Sequence, residues 1–193
     1  LCDGSMGVML QGRGLPDEAP PEAYNLALPQ AVLSVHRAYR AAGAQLLTTN
    51  TIGGNRTRLS AAGLGDRVAE VNRTAALLAR EIAGHDCWVA GSVGPIGELL
   101  APLGSLAPEA AGAEFREQIG ALVDGGVDCL LLETHYDLAE ARLAIDAAHH
   151  QCDADGRDLE DAQSRAGLPA QHVAGQQEGR RAEQRQRGAQ RCG

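Results

Sequence analysis

A chain of 193 residues with 25 acidic side chains against 17 arginines and no lysine carries a formal charge of −8, which argues against a nucleic-acid backbone as its main partner. No run approaches the roughly 18 consecutive apolar residues of a membrane span, and no basic start followed by an apolar stretch marks a secretion signal, so a cytoplasmic protein with no membrane partner is expected. The length suits one domain with a sizeable core but falls short of the about 250 residues typical of a closed eight-stranded α/β barrel, and Leu1 in place of Met points to a start inside a longer reading frame.

The first short apolar stretch ends at Asp3-Gly4-Ser5, a turn expected to be flexible. Pro29 to Ala42 places Val32, Leu33, Val35, His36 and Tyr39 on one helical face, and Gly43 ends that helix. Ala44 to Thr48 reads as a strand leading into Thr48-Thr49-Asn50-Thr51. Asp66 is expected to cap a helix with a buried stripe of Val68, Val71, Ala75, Leu78 and Ile82. Cys87 to Ala90 is the next strand, directly before Gly91-Ser92-Val93-Gly94-Pro95. Pro108 suits the first turn of a helix burying Phe115, Ile119, Leu122 and Val123, which Gly125-Gly126 stops. Val127 to Leu132 is the clearest strand, followed at once by Glu133-Thr134, and a fourth helix spans roughly Leu138 to Ala148.

Regular alternation of strand and helix implies parallel strands joined by helical crossovers. A doubly wound sheet stays open on the pattern alone. The even spacing, with polar residues after every strand, favours a TIM-type (β/α)8 barrel of which about the first four βα units are present, because the C-terminal strand ends of such barrels form the active face. Gly4, Gly7, Gly12 and Gly14 do not make the GxGxxG of a dinucleotide site. Residues 1–149 form this half barrel. Residues 151–193 lack Ile, Phe, Met, Trp and Tyr and are rich in Gln and Arg. They are expected to be a disordered tail or the product of a shifted frame.

Two acids stand out. Asp3 and Glu133 each follow an apolar run, and an acid at the mouth of a buried strand costs free energy unless paired. Capping of a turn by Asp3 and an arginine salt bridge to Glu133 are the structural alternatives. On one face the two carboxylates suit the ammonium group of an amino acid, or paired acid–base work. Thr49 and Asn50 lie in a loop of hydroxyls and amides suited to orienting a carboxylate, with local turn bonding as the alternative. His135 is placed to reach the face of Glu133. Neither Ser5 nor Ser92 sits in a GxSxG elbow, and the absence of lysine leaves no Schiff-base chemistry. Cys2, Cys87, Cys129, Cys152 and Cys192 show no CxxC spacing, and the first three are expected to be small buried thiols in strands.

The stretches Asp3 to Gln11, Thr48 to Asn55 with Arg58-Leu59, Ala90 to Pro95, and Leu132-Glu133-Thr134 with Asp137-Leu138 together resemble the zinc-dependent homocysteine S-methyltransferases. That group includes the N-terminal barrel of cobalamin-dependent methionine synthase, betaine–homocysteine methyltransferase, and bacterial fusions to methylenetetrahydrofolate reductase. The resemblance covers about residues 1–149. It implies a barrel that holds homocysteine by its amino and carboxyl groups while zinc lowers the pKa of the thiol that attacks a methyl donor to give methionine.

Carried over by motif, Asp3 and Glu133 match the acids holding the amino group, and Gly4 with Ser5 matches the adjoining turn. The family's zinc ligands are three cysteines, one after an Asn and two in a Gly-Gly-Cys-Cys run, and this chain has no adjacent cysteine pair. Zinc is therefore expected from the family without its ligands here, no catalytic residue is assigned, and the methyl donor, folate or cobalamin among others, is left open. The reading is a truncated methyltransferase whose partner is homocysteine. A noncatalytic half-barrel interaction module is the alternative, and open sheet edges point to self-association.

Overall fold

Each helix that follows a strand returns the chain to the same end of the sheet, so short apolar runs separated by helices pair in parallel. The computed structural model describes residues 1–16 and 19–154, with side chains through residue 151, and has this order. The tail expected over residues 151–193 begins instead as helix through Ala154, and its remainder from residue 155 lies outside the described residues. Where a first strand is expected there is a short parallel bridge from Cys2 to Leu46, with Asp3 N–H donating to Leu46 O at 3.0 Å. Helix α1 (Met6–Gln11) follows directly, and Ser5 Oγ caps it by accepting from Val8 N at 3.3 Å. The flexible turn expected there is instead a helix start.

A 3-10 turn at Pro21–Ala23 and the short α2 (Tyr24–Ala27) lead into α3 (Pro29–Ala41), which buries Val32, Leu33, Val35 and His36. Strand β1 (Leu46–Thr48) and α4 (Arg56–Ala61) come next, the latter capped by Asn55. Asp66 caps nothing. It lies in a 3-10 turn, Gly65–Arg67, and meets Arg56 at 3.6 Å, so that α5 (Val68–Ala83) starts without a side-chain cap. Strand β2 (Trp88–Val93) runs longer than its apolar core predicts, because Gly91, Ser92 and Val93 continue the ladder opposite Leu130, Leu131 and Leu132. Helix α6 (Pro108–Asp124) begins with its proline as expected, β3 (Cys129–Leu132) follows, and α7 (Leu138–Ala154) runs past the end predicted for it.

The sheet order is β1-β2-β3, all parallel, with Leu1–Asp3 bridged to the free side of β1. Alternation along the strands sends Leu47, Val89 and Val93, with the half-buried Leu130 and Leu132, toward the helices. There they meet Phe115, Ile119 and Leu122 of α6, Ala76 and Ala79 of α5, and Ala144 and Ala147 of α7. Each large side chain fully buried in this way stabilises the fold by about 1.5–3 kcal/mol. The residues of opposite parity form the other face, where Cys2, Trp88, Cys129 and Leu131 are exposed. Of the three described cysteines only Cys87 is buried, a correction to the expectation of three buried thiols. At the entry ends of β2 and β3, Asp128 Oδ2 accepts from Val89 N at 2.7 Å and from Arg80 Nη2 at 2.5 Å, closing the two strands like a clasp.

Candidate functional site

All strands being parallel, Asp3, Thr48, Ser92 and Glu133 collect at one end of the sheet. Asp3 caps no turn. Its Oδ2 accepts from Thr48 N at 2.8 Å and its Oδ1 from Thr48 Oγ1 at 3.0 Å, so both oxygens are oriented by β1. Burial pushes the Asp3 carboxyl above its usual range against the lowering effect of these bonds, and the charge on Glu133 adds to the rise. Glu133 makes no arginine pair among the described residues. It is fixed by Glu133 N to Val93 O at 3.0 Å, and its Oε1 accepts from Ser92 Oγ at 2.6 Å. Its second oxygen accepts no hydrogen bond among the described residues. The adjoining Gly4-Ser5 turn is held by Tyr39, whose hydroxyl donates to Ser5 O at 3.2 Å. A Cβ on Gly4 would lie 2.9 Å from that hydroxyl oxygen.

Thr49 and Asn50, next along the chain from Thr48, are buried. Thr51 Oγ1 donates to Ser92 O at 2.7 Å and lies 2.5 Å from Thr49 Oγ1, which accepts from Ser92 N at 3.0 Å. A hydroxyl has one proton, so Thr49 donates to Thr51 and both are committed to the backbone of β2. The Asn50 amide donates to Pro21 O at 2.7 Å and to Asn25 Oδ1 at 3.0 Å. Thr49 and Thr51 thus fix the end of β1 to β2, and Asn50 ties the same loop to the segment before α3.

The loop after β1 is held by side chains from four separate segments. Asn50 O accepts from Asn25 Nδ2 of α2 at 2.9 Å, and Thr51 O from Gln118 Nε2 of α6 at 2.7 Å. Gly53 N donates to Glu22 Oε1 at 2.6 Å, and Gly54 O accepts from Asn72 Nδ2 of α5 at 2.7 Å. A buried backbone group left unpaired costs about 1–3 kcal/mol, so each of these side chains matters. Burial pushes the Glu22 carboxyl up, while hydrogen bonds from the backbone N–H groups of Glu22 and Gly53 and the charge of nearby Arg58 oppose the rise.

None of these polar partners was read from the sequence. Asn72 and Gln118 do carry a signal there, since each is a polar residue inside the apolar stripe of a helix, beside Val71 and Ala75 or Phe115 and Ile119. A Cβ on Gly54 would sit 2.4 Å from Asn72 Oδ1 and 3.0 Å from both Gln118 Nε2 and Thr51 O. Gly54→Ala is therefore expected to destabilise the protein by about 2–3 kcal/mol, through overpacking and displaced hydrogen bonds, as measured by urea unfolding.

His135 does not join Glu133. Between them Thr134 takes a left-handed conformation, φ 64°, and His135 turns inward, its ring 5.9 Å from Phe115 and its Nδ1 3.5 Å from Glu140 Oε2. Glu140, buried in the first turn of α7, also accepts from Ile96 N at 2.8 Å and so links the loops after β2 and β3. The described residues contain no group of three or more His, Cys, Asp or Glu able to hold a metal ion. Cys2 and Cys129 lie exposed on separate segments, and Cys87 Sγ is buried 3.8 Å from Ala44 O. The described donors do not fit a zinc site.

Parallel strands joined by helical crossovers place the molecule among α/β proteins. The family model for homocysteine S-methyltransferase matches residues 1–166, and the chain belongs to that family. It is 32% identical over 157 residues to methionine synthase from Mycobacterium leprae, an alignment covering 74% of this chain and 13% of that protein. The figures for methionine synthase from Mycobacterium tuberculosis are the same. The chain thus spans a small part of the methionine synthases it matches. Its fold is similar to the homocysteine methyltransferase MmuM from Escherichia coli in metallated form, with a TM-score of 0.66 and 27% identity over 88% of this chain and 71% of MmuM. Against the oxidized form of MmuM the TM-score is 0.66 at 28% identity, over 81% of this chain and 58% of the other. No helix among the described residues is long and apolar enough to cross a membrane.

Proposed function

We propose that the strand ends of this chain form the amino-acid-binding part of a homocysteine S-methyltransferase barrel, within which a methyl group passes to the homocysteine sulfur to give methionine. The observation that carries the reading is the pair Asp3 and Glu133. They come from the two outer segments of the sheet, and the charge of one reaches the other. Two carboxylates so placed repel each other, and a cation between them relieves the repulsion.

The α-ammonium of homocysteine has three N–H donors and answers both acids. Thr48 orients Asp3, Ser92 orients Glu133, and the Gly4-Ser5 turn, buttressed by Tyr39, closes one side. Thr49 and Asn50 fix the floor on which the rest of the amino acid lies. The described residues hold and orient the substrate. They offer no metal cluster, and thiol activation is not assigned to them.

Calorimetry with homocysteine and with 4-mercaptobutanoate, which lacks the amino group, tests this. A hydrogen bond to a charged group is worth about 1.5–3 kcal/mol, so Glu133→Gln should weaken homocysteine binding roughly tenfold to a hundredfold and leave the analogue unaffected. Equal binding of the two ligands by the unaltered protein would remove Asp3 and Glu133 from an ammonium site.

A further inference from the structure

The peptide group between Pro95 and Ile96, in the loop after β2, is gripped at both ends. Its carbonyl, Pro95 O, accepts from Arg58 Nε at 3.0 Å and from Asn55 Nδ2 at 3.3 Å, and both donors come from the segment that follows β1. Its N–H, on Ile96, donates at 2.8 Å to Oε1 of Glu140, which follows β3. One rigid peptide plane thus ties three strand-end segments together, and the guanidinium at one end and the carboxyl group at the other polarise it in the same sense.

Glu140 also holds His135. Its side chain is 3% exposed, and its Oε2 lies 3.5 Å from Nδ1 of His135, whose side chain is 6% exposed and whose ring packs on Phe115. Nε2 of His135 has no partner among the described residues, so Glu140 is the polar anchor of that ring. Between the anchored ring and Glu133 stands Thr134, alone among the described non-glycine residues in having a positive φ, 64°. A β-branched residue rarely takes that conformation unless its surroundings impose it. Thr134 is exposed, so the constraint comes from its two neighbours: Glu133 N is tied to Val93 O at 3.0 Å, and His135 is tied to Glu140. The start of α7 fixes Glu140 in turn, since Asp137 Oδ1 accepts from Ala139 N at 2.8 Å and Asp137 O from Ala141 N at 3.0 Å.

We propose that Glu140 is a positioning residue. By holding His135 inward and the Pro95–Ile96 peptide in place, it keeps Thr134 left-handed and so sets the direction in which Glu133 presents its carboxylate. Both Glu140 oxygens are engaged, by Ile96 and by His135, so it acts through them and not on a ligand. The consequence for homocysteine rests on the reading of Asp3 and Glu133 as an ammonium site, whereas the consequence for Glu133 itself does not.

Amide hydrogen exchange followed by NMR, on the full chain without ligand, tests the positioning. In Glu140→Ala the Ile96 and Glu133 amides should exchange faster, while the Thr49 amide, which donates to Ala90 O at 2.9 Å, keeps its parent rate. Glu140→Gln restores an acceptor for Ile96 and should recover most of the protection. Calorimetry should find homocysteine held roughly threefold to thirtyfold more weakly by Glu140→Ala, with 4-mercaptobutanoate unaffected.

Thr134→Gly separates position from stability, because glycine takes a positive φ freely and turns the link between His135 and Glu133 into a loose hinge. Its urea midpoint should match or exceed the parent's, yet its Glu133 amide should exchange faster and its affinity for homocysteine should fall. A residue that merely stabilised the fold would move midpoint and affinity together. Parent rates for the Glu133 amide in both Glu140→Ala and Thr134→Gly would overturn the proposal, and so would a Thr49 amide that speeds up in step with Glu133. If the unaltered protein binds homocysteine and 4-mercaptobutanoate equally, the ammonium site falls, and the exchange rates still decide whether Glu140 positions Glu133.

Discussion

Phe115→Ala should lower the unfolding free energy by about 3–5 kcal/mol, the usual cost of emptying a buried phenylalanine site. Phe115 is the only phenylalanine in the chain and is fully buried. It belongs to the cluster in which α6 packs on the sheet, among Val89, Val93, Ile119 and Leu122. Close neighbours on the strands and on α5 and α7 cannot all shift to fill the void, which places the expected loss at the upper part of the range. The same ring lies against His135, whose loop carries Glu133, so the variant should also bind homocysteine more weakly before it unfolds. Urea unfolding gives the first number and calorimetry the second. A loss below about 1 kcal/mol would mean that this cluster is not the core.

The second large effect concerns acid stability. His36 is fully buried on α3, and neither ring nitrogen has a hydrogen-bond partner among the described residues. Burial lowers its pKa from 6.5 to about 4. Between those values the unfolded chain binds a proton that the folded one does not, so stability rises with pH across the window. The contribution is complete above about pH 6.5 and is lost as the pH falls toward 4. Its size, from about 1.4 kcal/mol per unit, is about 3 kcal/mol.

Asp3 and Glu22, whose carboxyls are raised by burial, act in the opposite sense, since each favours the folded state while protonated. His36→Leu isolates the histidine. At pH 7.5 the variant should match or exceed the parent, because an apolar side chain replaces two unpartnered polar atoms. At pH 4.5 it should be more stable by about 2–3 kcal/mol. Parallel pH profiles for the two proteins would show that the imidazole is charged inside the fold.

The long helices and the strands of this chain were legible because period is a local property. Val32, Val35 and His36, or Phe115, Ile119 and Leu122, mark a buried stripe with no knowledge of what covers it. The short helices Met6–Gln11, Tyr24–Ala27 and Arg56–Ala61 are too brief to repeat a stripe, and the continuation of β2 through Ser92 depends on a partner strand that lies forty residues on in sequence. The acids at the site were visible for a related reason, since a carboxylate straight after Leu130-Leu131-Leu132 is out of keeping with its surroundings. What fixes those acids was hidden. Ser92 reads in sequence as part of a strand-end loop, and its bond to Glu133 joins residues that sequence does not bring together. The inward turn of His135 follows from the left-handed Thr134, which no local pattern announces.

The side chains that secure the loop after β1 come from both directions along the chain, Glu22 and Asn25 ahead of it and Asn72 and Gln118 behind it. On the ribosome these arrive in sequence. When the loop emerges, its earlier partners are already in reach, but Gly54 O must wait for α5 and Thr51 O for α6, a helix whose own seat on the sheet needs β2. Until residue 118 has been made the nascent loop has at most part of its scaffolding, and a chaperone or protease that meets the chain in that interval finds the C-terminal end of the sheet unfinished.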